Sequence, residues 1–336
     1  MPTLTAFTPD PPRWIYPQAE LLRSLADRHG RIVGAVLARV ACKPDVIASR
    51  AVAAAIDDAL YAGPHGAGTA ARTQRFAELA AAELERLYEG EQDPPRDLIH
   101  VTCTGYVSPS AAQRLVSARG WPTRVVHAYH MGCYAALPAV RVACALAAES
   151  GQRADVVHTE HCSLHFDPGD HHLDALVVQS LFADGAIRYA IVPGDAPGLK
   201  ILAQHEAILP DSTGAMTWMV GDHGFAMTLA RDVPARIGRA VREFVRALGA
   251  PRDAYYAVHP GGPRIVDEVE RALELEPAQV AASRAVLYER GNMSSATLPH
   301  IWMRLAADPE VPRGATIVTL AFGPGLTTCG AVLEKT

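Results

Sequence analysis

DAYYAVHPGGP, residues 253–263, starts on an acidic residue, runs through β-favouring positions to a histidine and breaks on Pro-Gly-Gly-Pro ahead of RIVDEVERAL (264–273). This reads as a strand, a turn and an amphipathic helix. DLIHVTCTGYVSP (97–109) has the same grammar: an acidic start, a β-rich run, a Gly turn, then the helix AAQRLVSARG (111–120). A second pair of segments repeats as well. HMGCYAALPAVRVACALAA (130–148) and GNMSSATLPHIWMRLA (291–306) each place a Gly-X turn before a largely apolar helix. Each is followed by an apolar strand, ADVVHTEH (154–161) and ATIVTLAFGPG (315–325). Alternation of strand and helix marks an α/β protein, and the repeat predicts two similar halves facing each other across a pseudo-twofold axis. The expected units are an N-terminal half over 1–200 carrying Cys133 and a C-terminal half over 201–336 carrying His259 and Asn292. The loops of Cys133 and Asn292 would then be symmetry mates, with the loop of His259 beside them.

Outside these segments the reading is coarser. The first 95 residues read as mainly helical: 17–41 and 47–62 are rich in Ala, Leu and Arg, and 72–90 has helical spacing. YAGPHGAGTA (61–70) is a Gly-rich loop with no GK[ST] after it, so it is not a phosphate loop.

Bulk properties narrow the function classes. The 336 residues carry a net charge of −5, with 49% hydrophobic and 20% charged residues, which is ordinary for a globular protein and offers no basic surface to nucleic acid or an anionic membrane. No apolar run reaches bilayer length, and the N-terminus lacks a secretory pattern, so the expected location is the cytoplasm. Six scattered cysteines without a CxxC pair argue against a zinc ribbon and against a disulfide scaffold. His158, His161, His165, His171 and His172 lack HExxH spacing, so no metal is expected. Gly261-Gly262 lies in a turn without the GxGxxG of a dinucleotide site.

What remains is three polar residues on Gly-bearing turns. Cys133 follows Gly132 at a helix start, where free N–H groups and the helix dipole favour a thiolate; a buried structural cysteine is the alternative. His259 precedes the Pro-Gly-Gly-Pro turn, from which an imidazole can pair with a thiolate or donate to a carbonyl oxygen. Asn292 is a good capping residue for the serines that follow, and it also carries an uncharged amide donor. Together they are what acyl transfer needs when the second nucleophile is an enolate.

HPGGPRIVDEVERAL, LYERGNMSSA and AFGPGLTT, with LVVQSLFADGA, MGCYA, ILPDSTGA and RDVP in the same order, resemble the type III polyketide synthases, the chalcone synthase-like branch of the thiolase superfamily. The likeness covers roughly residues 96–336. It implies a thiolase fold with a five-layered αβαβα core and a condensing acyltransferase that needs no cofactor. Its substrates would be acyl-CoA and malonyl-CoA, with acyl carrier protein thioesters as an alternative source. By resemblance Cys133 is the acylated nucleophile, and His259 with Asn292 promotes decarboxylation and holds the enolate. Ser294 lines the cavity, Phe182 is a gatekeeper, and Phe322, Gly323 and Pro324 belong to the loop that shapes the cavity wall. Arg50 and Arg264 are expected to meet CoA phosphates. A homodimer is implied, with Ser108 reaching towards the partner's cavity.

Departures from the pattern carry information of their own. Met227 stands where relatives have a second gatekeeper Phe, and Trp218 where many have a small residue. Cys162 and His165 replace small hydroxyl residues. The indole is expected to remove much of the cavity, and Met227 to open a channel for an alkyl chain. The expected reaction joins an acyl starter to malonyl units and closes a short pyrone or resorcinol. A ketosynthase joining two β-ketoacyl chains into an α-pyrone, a cysteine hydrolase of thioesters and a catalytically silent scaffold are the other readings.

Overall fold

The computed structural model describes all 336 residues. Its strands are β1 (Thr3–Asp10), β2 (Trp14–Pro17), β3 (Ser49–Val52), β4 (Asp97–Thr102), β5 (Arg124–Tyr129), β6 (Ala154–His161), β7 (Asp184–Val192), β8 (Leu199–Ile208), β9 (Met216–Gly221), β10 (Gly224–Leu229), β11 (Tyr255–Val258), β12 (Thr316–Gly323) and β13 (Thr327–Lys335). The helices are α1 (Gln18–Val40), α2 (Thr69–Leu87), α3 (Ala111–Arg119), α4 (Ala136–Ser150), α5 (Leu173–Leu181), α6 (Val233–Leu248), α7 (Pro263–Leu273), α8 (Ala281–Arg290) and α9 (Thr297–Ala307).

Nine strands join in the order β11-β12-β13-β8-β1-β7-β6-β4-β5. Reading outward from the junction between β8 and β1, the pattern is the same both ways. β7 and β13 are antiparallel to their inner neighbours, β6 and β12 are antiparallel to those, and β4 and β11 return parallel. The junction itself is thin: Thr3 pairs with Lys200 and Leu4 with Leu199.

Helices α4 and α9 fill the space between the two wings. α4 packs on β4, β6 and β7 and also reaches β13, while α9 packs on β1, β7 and β11. α9 is apolar and buried over most of its length, whereas α4 buries Ala136, Leu137, Ala139, Val140, Ala143 and Ala147 and leaves Arg141, Val142, Ala145, Ala148 and Glu149 exposed on one side. The largest core lies here and includes Ala136, Val140, Ala143, Ile301 and Trp302. Strongly amphipathic α6 and α7 cover the outer face of the C-terminal wing, and α2 and α3 cover the N-terminal one. The layers therefore run helix, sheet, helix, sheet, helix. The segments read above as Gly-X turn plus apolar helix are the ones feeding the two central helices.

Two expectations for the N-terminal region are corrected. Residues 47–62 are not a helix. Ser49–Val52 pairs with Trp14–Pro17, and only a 3₁₀ turn at Ala59–Tyr61 follows, so tertiary pairing overrides the helical preference of the alanines. The opening residues, expected within a helical region, form β1 between β7 and β8.

Candidate active site

Cys133 lies in the turn that feeds α4, where the Ala135 N–H donates to the Gly132 carbonyl over 3.0 Å. Gly132 has φ +90°, and a Cβ on it would sit 2.6 Å from Pro324 Cδ. Only glycine lets the loop after β12 press against the cysteine turn. Since β11 runs parallel to β12, His259 at the end of β11 sits one strand away from that loop. Its N–H donates to the Leu320 carbonyl over 2.8 Å.

Asn292 is held on its other side by the chain around Phe182. Its N–H donates to Leu181 O over 3.1 Å, and its carbonyl accepts from Ala183 N over 2.8 Å. The side chain divides its work. Oδ1 accepts from the Ser294 N–H at 2.9 Å and the Thr297 hydroxyl at 3.4 Å, which is the capping role. Nδ2 is buried with no partner, and the amide lies within reach of the Cys133 thiol. Ser294 Oγ is 4.0 Å from Cys133 Sγ.

Electrostatics set the resting state. Burial pushes the Cys133 thiol up to about 12, and the Glu160 carboxylate adds to this; the Ser294 hydroxyl, the Asn292 amide and the cysteine's own N–H pull the other way. Burial holds His259 down at about 3, and neither of its ring nitrogens has a partner. The site thus holds a neutral thiol, a neutral imidazole and a free amide donor. All three are buried, at 7%, 1% and 0% exposure for Cys133, His259 and Asn292.

Two contributors escape a reading of the sequence. Glu160, on β6, accepts from Cys103 N at 2.9 Å, Thr104 Oγ at 2.9 Å, Ser295 N at 3.3 Å and the Ser295 hydroxyl. This buried carboxylate ties the loop after β4 to the turn after Asn292. The strand ADVVHTEH is fully buried, and a buried acid such as Glu160 requires donors. Cys103 accepts the Gly132 N–H on its sulfur at 3.0 Å, which places a second thiol beside the first.

A cavity of about 120 Å³ opens from Cys133 and Ser294. Phe182, Met227, Trp218, Cys162, His165 and Pro324 line it. Trp218 is fixed in that lining. The indole N–H donates to Cys103 O over 2.7 Å, and the ring packs edge-on against Phe225, so it forms a wall. His165 is fully engaged: Nε2 donates to Thr104 O at 2.8 Å, and Nδ1 accepts from Phe225 N at 3.1 Å, which selects one neutral tautomer. Phe322 lies in the outer core of the C-terminal wing, and Gly323 lies against the Tyr134 ring, so neither faces the cavity.

The two arginines differ sharply. Arg264 is exposed in the first turn of α7. Arg50 is only 4% exposed and donates to Gln18 Oε1 at 2.7 Å, Gln179 O at 2.9 Å and Phe182 O at 2.6 Å. It braces the chain behind Phe182, with its guanidinium committed to those three acceptors. No set of three or more His, Cys, Asp or Glu side chains is arranged to hold a metal ion, and the histidines of the 158–172 stretch point into separate contacts.

The sequence matches the N-terminal domain of chalcone and stilbene synthases over residues 77–197 and their C-terminal domain over residues 200–336. Among solved structures, PKS-I of the brown alga Ectocarpus siliculosus superposes with a TM-score of 0.88 at 23% identity, covering 100% of this chain and 98% of that one. The C-terminal type III polyketide synthase domain of Steely1, a type I/III hybrid from Dictyostelium, gives 0.86 at 25% identity, covering 99% of both chains. The 1,3,6,8-tetrahydroxynaphthalene synthase of Streptomyces coelicolor A3(2) gives 0.88 at 26% identity, again covering 99% of both. The chain belongs to the chalcone and stilbene synthase family of type III polyketide synthases, acyltransferases that condense CoA thioesters through a cysteine and need no further cofactor.

Proposed function

We propose that Cys133 carries the growing acyl chain, that His259 and Asn292 form the oxyanion site, and that the product is a short pyrone or resorcinol. The observation that carries this reading is the divided Asn292 side chain, with its oxygen committed to the turn and its buried amide left free beside a thiol. A buried donor without a partner costs about 1–3 kcal/mol, and an arriving carbonyl oxygen would remove that cost.

The sequence of steps follows from the groups present. As an acyl-CoA enters, neutral His259 takes the Cys133 proton. The thiolate attacks the thioester carbonyl, and the C–S bond to CoA breaks, CoA leaving as the thiol with that proton. Malonyl-CoA then binds with its thioester oxygen against the His259 ring N–H and Asn292 Nδ2. The carboxylate C–C bond breaks, CO₂ leaves, and the electron pair becomes an enolate whose oxygen these donors hold. The enolate carbon attacks the acyl-Cys carbonyl, a C–C bond forms, and the Cys133 thiolate is released. Repetition and internal attack by an enol oxygen or carbon close the ring.

Joining two preformed β-ketoacyl chains into an α-pyrone is the second reading, favoured by the small volume of about 120 Å³ beside Cys133, and a pyrone formed without malonyl-CoA would support it. Arg264, exposed at the start of α7, is the arginine we assign to a CoA phosphate. We also propose a homodimer formed through the face that carries Tyr106, which is 43% exposed, the edge strand β5 and Ser108. Light scattering that returns the mass of one chain at micromolar concentration would overturn it.

Intact-protein mass spectrometry after incubation with acyl-CoA, then malonyl-CoA, tests the main reading. A stoichiometric adduct that disappears on adding malonyl-CoA, with a pyrone or resorcinol in the supernatant, is expected. Cys133→Ala should carry no adduct. Full loading of that variant would remove Cys133 from the role, and release of free acid alone would indicate a hydrolase.

A further inference from the structure

Helix α5 ends at Leu181, one residue before Phe182, in the buried interior. The closing carbonyls of a helix lack donors within the helix and must find them elsewhere. Here each is accounted for. Val178 O keeps the bond from the Phe182 N–H at 3.0 Å, and Arg50 Nη1 donates to Gln179 O at 2.9 Å. Gln18 Nε2 donates to Ser180 O at 2.7 Å, and the Asn292 N–H donates to Leu181 O at 3.1 Å. The next carbonyl along, Phe182 O, accepts from Arg50 Nη1 at 2.6 Å. The backbone that carries Asn292 is therefore part of the cap of α5.

Gln18, the first residue of α1, is fully buried and does not line the cavity. Besides Ser180 O, its amide nitrogen donates to Cys42 O at 2.6 Å, and its Oε1 accepts from Arg50 Nε at 2.7 Å. Both amide donors are thus used, and the oxygen fixes the guanidinium that serves Gln179 and Phe182. The backbone adds a second path. The Gln18 N–H donates to Ala48 O at 2.9 Å, and the Ala48 N–H donates to Tyr288 O of α8 at 2.6 Å, just ahead of Asn292. Gly291 lies flat on the same cap, since a Cβ on it would come within 3.1 Å of Leu181 O. Gln18 is therefore tied to both flanks of the Asn292 turn, α5 on one side and α8 on the other.

We infer that Gln18 is a positioning residue for the condensation step: by completing the cap of α5 it sets where the free amide of Asn292 points. The inference rests on Asn292 being an oxyanion donor. Without the Gln18 amide, Ser180 O and Cys42 O are left buried without that donor, a costly state that the chain relieves by shifting. Residues 181–183 move with Ser180, and Asn292 is bonded to them through both its N–H and its carbonyl. A misplacement of about 1 Å costs up to about a hundredfold in rate. The Cys133 turn is built on α4 and the loop after β12 and takes no hydrogen bond from this cap, so acyl loading is spared.

The test is a double-mutant cycle on the full-length enzyme, with acetyl-CoA and then malonyl-CoA, read by single-turnover intact mass for loading and condensation separately. Gln18→Met keeps the length of the side chain and removes its polar atoms. It should leave loading within about twofold and slow condensation by about tenfold or more. In the Asn292→Ala background the same change should slow condensation by no more than about twofold further, because the donor it positions is gone. The urea midpoint should fall to the same extent in both backgrounds, since Asn292→Ala leaves the backbone bonds to Leu181 and Ala183 in place. Should Gln18→Met fail to fold, Gln18→Glu, which keeps an acceptor for Arg50 and loses the donors, carries the same expectations. Condensation at the native rate in a folded variant, equal loss of loading and condensation, or an undiminished effect in the Asn292→Ala background would each overturn the inference. Asn292→Ala condensing at the native rate would instead overturn the reading of Asn292 as an oxyanion donor.

Discussion

At the scale of single residues, a side chain here is defined by which of its atoms are already used. Asn292 caps a turn with Oδ1 and keeps Nδ2 free, so the bland and the chemical readings of one residue are both satisfied. Asn292→Ala is expected to leave acyl loading within a few-fold and to slow condensation by about a hundredfold or more, the usual effect of losing one oxyanion donor. Single-turnover mass spectrometry separates the two steps. If loading falls with condensation, the amide acts on the thiol and not on the enolate. Trp218 and His165 both line the cavity and both spend their ring nitrogens on backbone groups, so their faces, not their polar atoms, shape the wall.

Among elements, the N-terminal segment shows how local preference and tertiary pairing diverge. Arg50 sits on β3, whose pairing with β2 turns the guanidinium inward against α5. Burial lowers its pKa to about 10, so it remains charged and needs all three acceptors. Arg50→Ala should therefore destabilise the fold by about 3 kcal/mol or more, visible as a lower midpoint in urea unfolding. An unchanged midpoint with a raised KM for acyl-CoA would return Arg50 to the phosphate-binding role. The turn before Asn292 depends on the same arginine. Gly291 has φ +73°, and a Cβ on it would lie 2.9 Å from Arg50 Cγ, so the arginine stem and the asparagine turn are packed as one unit.

For the whole molecule, the exposed surface of 14094 Å² is close to the roughly 13,300 Å² expected of one compact body of this mass, as the shared central helices require. Stability should carry a pH signature from the outer helix of the N-terminal wing. His161 is 2% exposed with Nε2 3.1 Å from a Glu83 oxygen on α2, a charge contact and not an aligned hydrogen bond. Burial acts to lower its pKa, but the Glu83 charge and contact outweigh it and raise the histidine to about 9. Because the folded value lies above the unfolded one of about 6.5, the contribution is complete below about pH 6.5 and is lost as pH rises through about 9. Unfolding midpoints should fall over that window, by up to about 3 kcal/mol in stability, and Glu83→Gln should flatten the slope. Parallel pH dependence in the two proteins would show that the pair contributes nothing.

The α/β class, the paired turn-and-helix segments that become α4 and α9, and the turns bearing Cys133, His259 and Asn292 were all legible along the chain, because periodicity and turn chemistry are local properties. Strand β1 was not legible, since its partners β7 and β8 lie about 180 or more residues away and no hairpin signal links them. The course of the cavity was not legible either. A list of residue types cannot tell whether an indole plugs a pocket or walls it, whether an arginine faces a phosphate or three carbonyls, or where a buried glutamate finds its donors. Those outcomes depend on hydrogen-bond partners and side-chain directions that exist only once distant strands have met, and the tertiary structure alone supplies them.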